Sequence, residues 1–312
     1  MNPLSAIYST VASARNRLYD NGSFRQRRLA GPVVSVGNIS AGGSGKTPFV
    51  ILLGELLQQR GIAFDVLSRG YGRKSRGVFL VDPNGSSRDF GDEPILIAKR
   101  LGCPVIVGES RYGAGLFAES KFGPQLHILD DGFQHRSLAR DFDIVLLTAG
   151  DVNDQPLPAG RLREPVSALR RADAVVLMGE VPVPPVSGRQ IWRVRRDIEI
   201  SDAGPRPLVF CGIAKPEAFL SQLNQNGITP VATRFFRDHH AYSAADIREL
   251  IGLRAQSGAD GFIATEKDAI NLGDYLASLQ PCTVARVRME LQNAADALDS
   301  MLRVIGERKP RA

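Results

Sequence analysis

The chain has 312 residues, 43% of them hydrophobic and 23% charged, with 39 basic against 33 acidic side chains for a net charge of +6. That length and balance suit one large or two ordinary globular domains and exclude a disordered or fibrous chain. Three scattered cysteines, Cys103, Cys211 and Cys282, exclude a disulfide framework and a CxxC zinc site, while no apolar run reaches the ~18 residues of a membrane span.

No signal peptide follows Met1, and the cysteine usage fits a reducing compartment, so the chain is expected to fold and work in the cytoplasm. The basic balance calls for an anionic partner and leaves nucleic acid, anionic lipid and nucleotide phosphate open.

In the first 30 residues Leu4, Ile7, Tyr8, Val11, Ala14 and Leu18 recur at three- and four-residue steps, as on one face of a helix. Ser5, Ser9, Ser13, Asn16 and Arg17 lie mostly off that face. Arg15, Arg17, Arg25, Arg27 and Arg28 against Asp20 give this segment a net +4. Such a helix either packs its apolar face on its own domain or lies in the surface of an anionic bilayer.

Residues 32–39 (PVVSVGNI) read as a buried strand, followed by a glycine-rich turn and a helix over 47–60. FDVLS (64–68), PVIVG (104–108), LHILDDG (126–132), FDIVLLTA (142–149) and ADAVVLMG (172–179) read as further strands, with helical stretches between several of them. Near-continuous apolar strands alternating with helices predict a parallel sheet covered on both faces. Residues 181–206, rich in Pro and Gly at both ends, read as an inter-domain connection around a short extended piece, QIWRVRR. A second αβ pattern then runs through PLVFCGIA (207–214), helices near 216–226 and 243–257, FIATEKD (262–268) and a helical segment at 291–304. The expected organisation is an N-terminal amphipathic helix and basic segment (1–30), a P-loop NTPase-like α/β domain (31–190), a linker (191–206) and a smaller C-terminal α/β domain (207–312).

The strongest chemical signal is Gly37-Asn38-Ile39-Ser40-Ala41-Gly42-Gly43-Ser44-Gly45-Lys46-Thr47-Pro48, set between a predicted strand and a predicted helix. Glycines let backbone N–H groups curl around phosphates, and the helix N-terminus adds its positive dipole end. Lys46 is placed to reach the β- and γ-phosphates and the Thr47 hydroxyl to meet Mg²⁺. The strict spacing wants glycine where Ser40 stands; Gly42 and Gly43 supply the flexibility instead.

LHILDDGFQH puts Asp130 and Asp131 at a strand end, where parallel sheets converge on a ligand, with Gln134 on the same edge. Asp92 opens a helical stretch and on spacing alone reads as an N-cap. Arg161, Arg163 and Glu164 of LPAGRLREP form a stiff charged loop suited to phosphate or metal. His239 and His240 stand beside Asp238. A P-loop GTPase acting as a regulatory switch or metal-delivery module is the alternative, but TEKD (265–268) lacks the N/T-K-x-D spacing of guanine recognition. Aromatics, at 7%, are not interleaved with the basic residues, which disfavours nucleic acid.

Together SVGNISAGGSGKTP, LSRGYGRK, GDEP, ILDDGFQH, LPAGRLREP, FCGIAKPEAF, the DHH of RDHHAYS and TEKDAINL resemble the tetraacyldisaccharide 4′-kinases of lipid A biosynthesis, in order, from residue 35 to 272. The resemblance implies a peripheral enzyme on the cytoplasmic face of the inner membrane, held there by its N-terminal helix. It would move the γ-phosphoryl of ATP to the 4′-hydroxyl of a tetraacyldisaccharide 1-phosphate, giving lipid IVA. By motif, Gly42, Gly43, Ser44, Gly45, Lys46, Thr47, Asp130, Asp131 and Gln134 would bind ATP. Thr47, Glu164 and Asp131 would bind Mg²⁺, and Arg163, His240 and Arg73 the lipid substrate. Asp92 becomes the catalytic carboxylate, paired with a histidine best matched by His239, and Lys46 the catalytic cation. A monomer is expected, with no nucleic-acid partner.

Overall fold

A computed structural model of the chain describes residues 3–43 and 45–308. Helix α1 (Pro3–Asp20) leads into β1 (Val33–Asn38), α2 (Lys46–Gln59), β2 (Phe64–Ser68), β3 (Phe79–Leu80), α3 (Ser87–Phe90), α4 (Asp92–Leu101), β4 (Val105–Val107) and α5 (Arg111–Phe122). Next come β5 (Leu126–Asp130), β6 (Phe142–Thr148), α6 (Ala149–Val152), β7 (Ala174–Met178), β8 (Gln190–Glu199) and β9 (Pro207–Cys211). The chain ends with α7 (Pro216–Gln225), β10 (Ala232–Phe235), α8 (Ala244–Ser257), β11 (Gly261–Thr265), α9 (Glu266–Leu272), β12 (Cys282–Leu291) and α10 (Ala294–Arg308).

The strands form one continuous sheet in the order β10-β9-β11-β12-β8-β7-β6-β1-β5-β2-β4-β3. Pairing is parallel except between β12 and β8 and between β3 and β4. Every residue of β1, β2, β4 and β5 is buried, which is why these strands read as unbroken apolar runs. The main core lies between the sheet and the inner faces of α2, α4 and α10, with Phe49, Leu53, Leu57, Ile95, Ile97 and Met301 fully enclosed. The predicted strand and helix centres match these elements, and the architecture is the expected mixed α/β sheet.

The sequence pattern left out β3, β10 and β12, and it misread β8. Most of the segment expected to be a connection, 191–206, belongs to β8, which pairs with β7 on one side and antiparallel with β12 on the other. Its alternation of buried Trp192, Val194 and Ile198 with exposed Arg193, Arg195 and Asp197 is a strand signal that the flanking prolines and glycines hid. Opposite charges face each other across the ribbon, Arg286 to Glu199, Arg288 to Asp197 and Glu290 to Arg195, an arrangement that stabilises register. Leu291 ends β12 rather than starting the last helix.

Helix α1 is amphipathic in the unusual sense. Leu4, Ile7 and Val11 are 60–64% exposed, and Leu18 also faces outward. The inward face is polar. Ser5 is fully buried and its Oγ accepts from the Ala159 amide at 3.2 Å. Asn16 Nδ2 donates to Glu164 Oε2 at 2.6 Å, Arg15 donates to the Gln134 carbonyl at 3.0 Å, and Arg136 donates to both the Asn16 carbonyl and Asp20. The apolar face therefore does not pack on its own domain. Among the described residues, no helix is long and apolar enough to cross a membrane.

Candidate active site

Strand β1 delivers the chain to the phosphate loop at Asn38, and α2 starts at Lys46. Gly45 caps α2 with φ 81°, a conformation that favours glycine, and a Cβ there would meet the Met289 and Met178 methyls at 3.0 and 3.2 Å. The loop is braced by LPAGRLREP: the Ala41 amide donates to the Arg161 carbonyl at 2.7 Å, and the Ile39 carbonyl accepts from the Arg163 and Glu164 amides. Ser40, where the strict motif has glycine, is buried with its Oγ accepting from Asn38 Nδ2 at 3.2 Å. Ser44 lies outside the described residues.

Lys46 Nζ stands 3.3 Å from Asn38 Oδ1 and 3.5 Å from Asp131 Oδ1, and Thr47 is buried directly behind it. Arg163 donates to Asp131 Oδ2 at 3.1 Å. Burial works against ionisation of Asp131, but Lys46, Arg163 and Arg111 outweigh it and hold the carboxyl below its ordinary range. Asp131 also has φ 51°, uncommon for a non-glycine residue, so the turn after β5 is strained where it presents this side chain.

Asp130 behaves oppositely. It is almost fully buried, accepts from Ser68 Oγ at 3.1 Å, and is pushed well above the usual carboxylate range by burial and then by Glu93 and Asp131. Lys46 offsets this only in part. The excess of carboxylates at this strand end is the chemistry that a hard dication relieves, so the residues fit Mg²⁺. Gln134 ties the segment together, donating to the Asn38 carbonyl at 2.9 Å and to Glu164 Oε1 at 3.0 Å. Both Glu164 oxygens are taken by side-chain donors, since Arg171 (2.5 Å) and Asn16 (2.6 Å) meet Oε2. Among the described residues, no group of three His, Cys, Asp or Glu gathers as a metal cage. A P-loop site needs none, because one hydroxyl, one carboxylate, phosphate oxygens and water complete the ion's shell.

Asp92 is not the cap of α4; Gly91 is, with φ 89°, and Asp92 is the first helical residue. Its carboxylate is 147 residues from His239 in sequence, yet Oδ2 lies 2.9 Å and Oδ1 3.1 Å from His239 Nδ1. Asn271 Nδ2 donates to Oδ2 at 3.2 Å. Burial opposes the charge on Asp92, but the His239 bond, the Lys267 charge and Asn271 together hold its pKa below the ordinary value. His239 is raised, first by its bond to Asp92 and despite burial. It sits at φ 56°, its amide bonded to the Gly212 carbonyl at 3.2 Å, with the exposed Tyr71 ring 5.4 Å away.

The two histidines separate clearly. His240 bonds Asp246 at 3.2 Å and stacks on Phe236 at 4.5 Å, so its ring belongs to the β10–α8 corner and not to the Asp92 pair. Arg73 is likewise engaged elsewhere, with Glu109 just after β4 at 2.9 Å and the Gly77 carbonyl of its own loop at 2.8 Å. Neither residue predicted for substrate is brought to the Lys46–Asp131 cluster by these contacts, whereas Arg163 is.

The two arms of the sheet meet at the loop. A Cβ on Gly43 would lie 3.5 Å from Ala214 Cβ, two residues beyond the Gly212 that bonds His239. Gly91, next to Asp92, packs on Gly70, whose amide points to the Ser68 hydroxyl that bonds Asp130. Neighbouring backbone thus links the Asp92–His239 pair to the Asp130, Asp131 and Lys46 group, through Gly91, Gly70 and Ser68 on one side and Gly43 and Ala214 on the other. Arg111, the first residue of α5, was missed by sequence reasoning. It is 4% exposed, its guanidinium Nε has no partner among the described residues, and burial lowers its pKa against the pull of Asp130 and Asp131. The usable signal was its place just after the C-terminal end of a parallel strand.

TEKD serves structure. Asp268 is fully buried and accepts from Thr265 Oγ1 (2.5 Å), Tyr242 Oη (2.7 Å) and the Gly212 amide (2.7 Å), which leaves it no face for a guanine base.

A family model described as LpxK, tetraacyldisaccharide-1-P 4′-kinase, matches residues 1–305. A tetraacyldisaccharide 4′-kinase of Koribacter versatilis is 50% identical over 321 residues, covering 99% of this chain and all of that protein. One from Chlorobaculum parvum is 37% identical, covering 99% and 95%. Among solved structures, the crystal structure of the "apo" form of LpxK from Aquifex aeolicus in complex with ATP superposes with a TM-score of 0.82 at 35% identity, covering 97% of both chains.

Proposed function

The chain belongs to the tetraacyldisaccharide-1-P 4′-kinase family, and from that premise we propose which of its residues carry the transfer. The protein is an ATP-dependent kinase that phosphorylates the 4′-hydroxyl of a tetraacyldisaccharide 1-phosphate to give lipid IVA in lipid A biosynthesis. The observation that carries the assignment of roles is the 2.9 Å pairing of Asp92 with His239, whose amide bonds the carbonyl of Gly212, two residues from the Ala214 that faces Gly43 of the Lys46 loop.

In this reading the amides of Gly42, Gly43 and Gly45, with Ser44, surround the triphosphate, and the N-terminus of α2 favours its charge. Lys46 and Arg163 neutralise charge that builds on the transferred group, while Asp131 keeps both cations aimed at one point. Gln134 and Glu164 hold the end of β1 and the bracing loop in place. Mg²⁺, held by Thr47 and Asp131, would supply further neutralisation of the phosphates. A sugar hydroxyl is a poor nucleophile at neutral pH, so a proton acceptor is needed. Asp92 and His239 act as that acceptor together: the carboxylate shares Nδ1, and the histidine, more exposed than Asp92, is the edge open to substrate. Strands β8 and β12 join the 31–190 and 207–312 units, so that Asp92 and His239 come from opposite sides.

The test is transfer of labelled γ-phosphate from ATP to purified tetraacyldisaccharide 1-phosphate and to its 4′-deoxy analogue. Label should enter only the first; equal labelling of both would overturn the assignment of the acceptor hydroxyl.

The outward stripe of α1, beside Arg25, Arg27 and Arg28, suits the surface of an anionic membrane. The expectation of a monomer on the cytoplasmic face of the inner membrane, without a nucleic-acid partner, belongs to the same proposal. Changing Leu4, Ile7 and Val11 together to serine should lower binding to anionic vesicles by about tenfold or more. Turnover on detergent-dispersed substrate should stay within about twofold. Unchanged vesicle binding would place the membrane contact elsewhere.

A further inference from the structure

Helices α4 and α9 lie antiparallel and are joined by three polar contacts. Arg100, near the end of α4, meets Glu266 at the start of α9 at 3.0 Å. Lys267 Nζ meets Glu93 Oε1 at 2.7 Å. Asn271, near the end of α9, donates to Asp92 Oδ2 at 3.2 Å. Lys267 and Asn271 are four residues apart and share a helix face, with Ile270 beside them packed into the main core. None of these contacts belongs to the phosphate loop, and a helix pair held only for stability would need no donor aimed at a carboxylate already paired with a histidine.

We infer that Lys267 and Asn271 are positioning residues for the transfer: Asn271 fixes the rotamer of Asp92 against His239, and Lys267, anchored on Glu93, supplies the positive charge that keeps the pair ready to accept a proton. The inference rests on the reading of Asp92 and His239 as the proton acceptor. The titratable groups that face the pair come from four segments, with Tyr71, its ring 5.4 Å from His239, on the loop after β2. His239 and Asp238 approach from the loop after β10, Glu93 from α4 and Lys267 from α9. Asp238 is the weaker influence, since its carboxylate is 3.7 Å from His239 Nε2 and more than a third exposed. The Lys267 charge lowers the pKa of Asp92 and also that of His239. Its removal therefore raises both, and a group that must be deprotonated to work then loses function from the acid side.

Two variants separate charge from packing. Lys267→Gln keeps the stem and a donor for Glu93, while Lys267→Arg keeps the charge. For Lys267→Gln the acid limb of kcat should move up by about one pH unit, so that turnover falls about tenfold near pH 6 and less than about threefold near pH 9. KM for ATP should stay within about twofold, and Lys267→Arg should restore the wild-type profile. Asn271→Ala should lower kcat by about tenfold near pH 9 with both KM values unchanged, and by more at acid pH, because the lost hydrogen bond also raises the Asp92 pKa. Thermal denaturation of each variant confirms a folded protein, and Lys267→Gln decides the matter if Asn271→Ala does not fold. A pH profile for Lys267→Gln that overlays the wild type would overturn the inference, as would a rise in KM with kcat intact. Asp92→Asn measured alongside keeps the two readings apart. If it loses activity while the α9 variants behave as wild type, only the positioning role falls; if it keeps full turnover, the acceptor reading falls first.

Discussion

Lys46→Ala should lower kcat/KM for phosphoryl transfer by about 10²–10³ or more. The ammonium group is 14% exposed, stands 3.5 Å from Asp131, and is a main influence offsetting the raised pKa of Asp130. Its loss removes a preorganised cation from a strand end already rich in carboxylate, where the triphosphate adds more negative charge. Arg163 remains, but one guanidinium shared with Asp131 cannot replace a charge aimed at the phosphates. Nucleotide affinity and turnover should fall together, because Lys46 meets the same charge in ground and transition states and more of it in the latter. Steady-state rates with ATP varied at saturating lipid measure this. A rate within about threefold of wild type would remove the glycine loop from the mechanism.

Asp92→Asn should lower kcat by about 10²–10⁴ and leave KM for ATP nearly unchanged. The amide is nearly isosteric and sits at the first position of α4, with Gly91 as the cap, so loss of a cap does not confuse the result. What changes is the proton chemistry. An amide cannot stabilise imidazolium at His239, whose pKa should fall from its raised value toward that of an unpaired histidine. The wild-type acid limb should reflect the coupled pair, with activity gained as pH rises through its deprotonation. In Asp92→Asn any residual activity should lose that dependence. A histidine NMR titration in which His239 keeps its wild-type midpoint in the variant would contradict the coupling.

Much of the fold was legible because its central strands are buried on both faces and therefore write unbroken apolar runs. The phosphate loop was legible because its glycines, Lys46 and Thr47 are contiguous. What failed to show were contacts without a local pattern. Asn16 meets Glu164 across 148 residues and Asn271 meets Asp92 across 179, and no periodicity marks either. His239 and His240 are adjacent and chemically identical in sequence; the left-handed backbone and Asp92 bond of His239, and the Phe236 stack and Asp246 bond of His240, set them apart. Asp92 read as a cap by composition, because the glycine before it gives no side-chain signal. Strand β8 was obscured by the proline-rich turns around it, although its alternation was present in QIWRVRR.

With α1 on a membrane as proposed, its inverted amphipathicity would set how the enzyme meets its substrate. A tether loosely attached by grease would leave the catalytic cleft free to tumble at any height above the leaflet. Here an 18-residue rod, about 27 Å long, is bolted by Asn16, Asp20 and Ser5 to the very loops that brace the glycine turn. On the proposed membrane contact, the plane in which the rod lay would be the plane from which the site is loaded. An acylated sugar would then need only to slide sideways along the leaflet, with its chains still among their neighbours, to arrive at a fixed elevation.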